Sequence, residues 1–104
     1  MSKMSTEAEE LHLFLENESS LYPKKKAIAK NMARKLMADA YSTPLAVKGW
    51  LYLVEDAAKQ YAKDFSASPR DWSKIFSVAD RKQVAVELEK EWFASAQEGD
   101  IWWE

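Results

Sequence analysis

Between Thr43 and Phe65 the apolar residues fall at Val47, Trp50, Leu51, Val54, Ala57, Ala58, Tyr61, Ala62 and Phe65. This three-then-four spacing lines one face of an α-helix and excludes a strand. Leu45, Tyr52 and Leu53 widen the face, which predicts a central helix with neighbours on both flanks. Thr43 is placed to cap its first turn, and Pro44 sits where a missing N–H leaves nothing unsatisfied.

The remaining chain reads as further helices. Thr6 and Glu9 fit a capping box ahead of Leu11, Leu13, Phe14 and Leu15, and the polar run from Asn17 should end that helix. Pro23 opens a second helix reaching about Tyr41, with Ile28, Ala29, Met32, Ala33, Leu36, Met37 and Ala40 at helical spacing. Lys26, Lys30 and Arg34 form a basic ridge on its other side, with Lys24, Lys25, Lys35 and Asn31 nearby. The short Tyr41–Pro44 connection predicts that this helix runs antiparallel to the central one. Gly49 weakens the central helix by about 1 kcal/mol relative to Ala. Its presence reads either as close helix contact beside Trp50 or as a tolerated glycine.

Ser68 and Pro69 start a short helix whose Trp72, Ile75 and Phe76 would plug the core. Ser77 and Asp80 then form the box that starts a last helix, buried through Val84, Ala85, Leu88, Trp92 and Ala96 with Phe93 at its flank, and Gly99 is its natural stop. The expected fold is all-α: a compact bundle of four main helices plus a short helix near 69–76. It forms a single domain over 1–104, with flexible N-terminal residues and a Trp-rich C-terminal tail.

Composition agrees with this picture. Two glycines and three prolines are too few for the turns of an all-β protein, and 47% hydrophobic against 31% charged residues argues for a folded chain. Cysteine is absent, which removes disulfides, thiolate zinc sites and cysteine nucleophiles. No run approaches the roughly 18 apolar residues of a membrane span. The acidic start, MSKMSTEAEE, does not read as a secretory signal, so a cytoplasmic location is expected, with no membrane partner. Nine bases against three acids in residues 24–63 set a basic middle between acidic ends.

Motifs for chemistry are missing. Two glycines cannot build a phosphate-cradling loop. His12 is the sole histidine and, without cysteine, cannot make a conventional zinc site; a Ser-His-Asp triad could use only His12, which lies remote in sequence from every well-placed serine with no GxSxG elbow to present a nucleophile, and it reads as a surface residue. Glu87, Glu89 and Glu91 alternate around their helix instead of converging. The expectation is a non-enzyme with no catalytic, cofactor or metal site. Candidate partner-binding residues are Lys26, Lys30 and Arg34 on the ridge and Trp102 and Trp103 in the tail, while Trp50, Trp72 and Trp92 read as core. The tail pair would either dock on its own bundle or anchor a partner.

Asn31 in the basic helix, Tyr41, Ala46-Val47-Lys48, Tyr52-Leu53-Val54 and Asp80-Arg81 together give the span from Leu21 to Ala94 a resemblance to short proteins encoded by bacteriophages and integrating mobile elements. Where such families have a Gly-Tyr turn, this chain has Ala40-Tyr41. The resemblance carries no established activity; it implies a host-directed role such as inhibition of a defence complex. Three functions follow as expectations. The first is a non-catalytic protein that binds a host protein or complex. The second is a nucleic-acid binder acting through Lys24, Lys25, Lys26, Lys30, Arg34 and Lys35. The third is a self-associating structural protein, a homo-oligomer.

Overall fold

Residues 4–98 are described by a computed structural model. They form α1 (Thr6–Asn17), a 3₁₀ turn (Ser19–Leu21), α2 (Tyr22–Met37), α3 (Thr43–Phe65), a second 3₁₀ turn (Pro69–Asp71), α4 (Trp72–Ile75) and α5 (Val78–Glu98). No strand occurs among these residues, and the chain is an all-α bundle of four long helices with a short one between α3 and α5, as the periodicities predict.

The caps sit one residue earlier than expected in two helices. Ser5 rather than Thr6 caps α1, accepting from the Ala8 amide at 3.1 Å, and Ser42 rather than Thr43 caps α3, accepting from Leu45 at 3.5 Å. In each case the serine is extended and the threonine is already helical, as a cap and its successor must be. The box at α5 forms as predicted: the Asp80 amide donates to Ser77 Oγ and the Ser77 amide to Asp80 Oδ2, both at 3.1 Å. Asp80 also accepts from Ser5 Oγ at 2.6 Å, tying the starts of α1 and α5 together. The Ser5 bond, reinforced by Ser77 against the effect of burial, holds the Asp80 carboxyl below its ordinary pKa. That stabilisation is present above the ordinary carboxylate range and is lost as pH falls through the lowered value.

α2 stops at Met37, about a turn before the expected Tyr41. Asp39 adopts φ 56°, its amide donates to Leu36 O at 3.2 Å, and the Ala40 amide donates to Lys35 O at 2.8 Å. These are the two bonds of a Schellman C-cap, with Asp standing where glycine carries no Cβ strain. Asp39→Gly is therefore expected to stabilise the fold by about 1 kcal/mol and to raise the melting temperature by a few degrees. Calorimetry would check this, and a lowered midpoint would contradict it.

The broadest helix contact is between α3 and α5, and α5 also packs on α1 and α2. Trp50 is fully buried, stacks on Trp92 with centroids 6.1 Å apart, and directs its indole N–H to Met32 Sδ at 3.2 Å. Phe76 is buried edge-on to Tyr61, with Trp72 and Ile75 partly buried beside it, so the segment after Pro69 does plug the core. Several apolar residues expected inside are exposed: Leu13, Met37, Leu45, Tyr52 and Phe65. Helical spacing sets Leu45 and Tyr52 away from the Trp50 and Val54 side of α3, where the other described residues leave both side chains exposed.

Candidate interaction surface

Beside the Ser5–Asp80 tie, four more charged or hydroxyl-bearing clusters among the described residues hold helices together. Arg81 is buried in α5 and donates to Glu55 of α3 at 2.9 Å while its guanidinium covers the Trp72 ring at 4.8 Å. Tyr41 donates to the buried Glu89 carboxylate at 2.5 Å. Burial first, and then that carboxylate, push the phenol well above its ordinary pKa. At the exposed edge of α1, Glu10 accepts from Tyr61 at 2.5 Å.

The fourth cluster corrects the reading of His12 as a plain surface residue. Its Nδ1 lies 3.3 Å from Glu16 and its Nε2 lies 2.8 Å from Glu91, with the side chain only 13% exposed. The three ligand-type groups lie within 4.8 Å of one another. The carboxylates approach opposite ring nitrogens, so the imidazole sits between Glu16 and Glu91 as a bridge. Lys25, 8% exposed, adds a positive charge facing both carboxylates. This cluster bridges α1 and α5 as a network of polar contacts.

Lys25 is thus a correction to the six-residue basic patch: it points inward. Burial lowers its ammonium pKa, and attraction to Glu16 and Glu91 only partly opposes that shift. The charged form is disfavoured in the fold, so the destabilisation is full while the amine is protonated and fades as pH rises through the lowered value toward 10.5. Lys25→Met is expected to stabilise the protein by about 1 kcal/mol near neutrality, with the gain shrinking near about pH 10. Urea midpoints at the two pH values would check both parts.

The remaining bases divide between two flanks of α2. Lys26, Lys30 and Arg34 keep their ridge; Lys26 and Lys30 are half-buried, Lys26 lies over the Tyr22 ring at 5.8 Å, and Arg34 borders an open groove of about 980 Å³ shared with the last turn of α5. Lys24 and Lys35 instead face α3, Lys24 lying 4.0 Å from Asp56. The six bases therefore do not make one continuous strip. Trp102 and Trp103 lie outside the described residues.

The α3-facing flank is the surface that sequence reasoning missed. Lys24, Ile28, Asn31 and Lys35 on α2 run alongside Leu45, Gly49, Tyr52 and Asp56 on the antiparallel α3, each set at spacings of three and four. Leu45 is 68% and Tyr52 63% exposed. Between the helices lies a cleft of about 90 Å³ walled by Ile28, Met32 and Ala46, with Asn31 and Lys35 at its rim. Asn31 and Gly49 each stood out in the sequence, but their meeting depends on the register of two helices.

Comparison with known proteins yields no match to any family model, curated protein sequence or solved structure. No helix among the described residues is long and apolar enough to cross a membrane.

Proposed function

We propose that this chain is a non-catalytic interaction protein that occupies a host protein complex through the outward face of α2 and α3. The observation that carries this reading is the pairing of two large exposed apolar side chains, Leu45 and Tyr52, with a half-enclosed cleft on the same face. Large exposed apolar groups around a concave centre characterise binding surfaces, whereas bulk charge does not. The polar clusters inside the bundle are engaged with one another, which favours binding over catalysis. The resemblance over Leu21 to Ala94 supports a phage or mobile-element origin and a role as inhibitor of a defence complex in the host cytoplasm. The split of the bases between two flanks speaks against nucleic acid as the main partner.

Affinity capture from host lysate, with and without nuclease, tests the reading. The combined change Tyr52→Ala and Lys35→Glu should abolish capture at unchanged melting temperature, because both side chains are exposed. Reversal of Lys26, Lys30 and Arg34 to Glu should leave capture in place. Capture that is nuclease-sensitive, falls steeply with salt and depends on the ridge would transfer the function to nucleic acid. Concentration-dependent sedimentation abolished by Tyr52→Ala would transfer it to self-association. Deleting residues 101–104 separates the tail: loss of capture at parental stability would make Trp102 and Trp103 anchors of the same partner.

A further inference from the structure

Gly49 lies in the interior of a 23-residue helix, where glycine is less favourable than alanine by about 1 kcal/mol. Close packing does not require it. A Cβ built there would meet only Ile28 Cγ2, at 4.0 Å, an ordinary contact. Gly49 instead lines the cleft between α2 and α3, where its missing side chain leaves room. The bundle has no need of this glycine, whereas the cleft would be filled by a larger residue.

We infer that the cleft over Gly49 receives one aliphatic side chain from an acidic segment of the protein partner, with Asn31 holding that segment's backbone and Lys35 its carboxylates. The inference rests on the reading of the α2–α3 face as the binding surface and names the partner's chemistry there. At about 90 Å³ the cleft is far below the roughly 300 Å³ of pockets that take whole small molecules, so a single side chain is the fitting occupant. Its wall includes Met32, whose unbranched thioether adapts to an inserted group. Of the rim hydroxyls, Tyr41 donates to Glu89, and Ser42 Oγ accepts from the Leu45 amide while its own O–H remains available as a short-reach donor. The exposed Asn31 amide, which can donate and accept at once as an extended backbone requires, and the Lys35 ammonium are the longer groups that the rim presents outward. Lys35 is the only charged residue among the described ones that line the cleft, so its complement is an acid.

The test uses the full chain, methyl-labelled for NMR, and three peptides: Ac-EELEE-NH2, the same peptide with alanine at its centre, and Ac-KKLKK-NH2. The leucine peptide should shift the Met32 and Ala46 methyl signals saturably, and about tenfold or more tighter than the other two. Gly49→Val should remove that difference, and Gly49→Ala should weaken it while raising the melting temperature. Equal binding of the leucine and alanine peptides, an unchanged preference in Gly49→Val, or methyl shifts produced by a thymidine oligonucleotide and not by the peptides would overturn the inference. Failure of the cleft is separable from failure of the face. Lysate capture lost with Tyr52→Ala and Lys35→Glu but kept in Gly49→Val leaves the face standing and removes the cleft, whereas capture indifferent to all three removes the face itself.

Discussion

Trp50→Ala is expected to destabilise the protein by about 3–5 kcal/mol, the range for deleting a buried aromatic and leaving its space unfilled. Trp50 is fully buried, and two contacts are lost with it: the stack on Trp92 of α5 and the indole N–H to Met32 Sδ of α2. A domain of this size has about 5–15 kcal/mol in total, so the variant would be folded only marginally. Urea denaturation monitored by circular dichroism would give the loss as a shifted midpoint with little change in slope. A shift worth less than about 1 kcal/mol would mean that the site collapses around the deletion.

Arg81→Ala is expected to destabilise by about 3 kcal/mol, through electrostatics instead of cavity formation. The guanidinium is buried between the Glu55 carboxylate, the Ser77 carbonyl at 3.3 Å and the Trp72 ring. Its removal leaves a half-buried carboxylate without its partner and uncovers the Trp72 ring face. Arg81→Met keeps the aliphatic cover on Trp72, so it should recover part of the loss, and adding Glu55→Gln should recover more. If Arg81→Ala and Glu55→Gln acted additively in a double-mutant cycle, the pair would not be coupled and the account would fail.

How much of this was legible in the sequence varied with the range of the cause. α3 was legible to its last residue because 23 residues of uninterrupted periodicity outweigh any local ambiguity. Its cap was misplaced by one residue because Ser42 and Thr43 carry equivalent hydroxyls, and only backbone geometry chooses between them. The end of α2 was missed because an Asp in the left-handed region leaves no mark of the kind a glycine leaves. Lys25 was read with the basic ridge, and the burial of Arg81 and Glu89 was not foreseen, since charged residues are rarely buried unless paired. Their partners stand 26 and 48 positions away in the case of Arg81 and Glu89, beyond any local pattern. Leu45 and Tyr52 were read as inward for the complementary reason: an apolar side chain shows that burial is favourable but not that a neighbour exists to provide it.

The hydrogen bond from Ser5 to Asp80 and that between His12 and Glu91 join residues 75 and 79 positions apart, and α5 packs against all three of the other long helices. On the ribosome α1 is made before α5, so the bonds of Ser5 and His12 form only once α5 has been made. The α2–α3 hairpin can pair early through local contacts, and α1 can join α3 through Glu10 and Tyr61 and through Phe14, while the surfaces that α5 covers wait for that helix. Contacts of such long sequence separation slow folding and lengthen the time an intermediate spends exposed. The nascent protein is thus vulnerable to aggregation and proteolysis until α5 emerges, and a chain cut short before Val84 would lack the α5 share of the core, Val84, Ala85, Leu88 and Ala96.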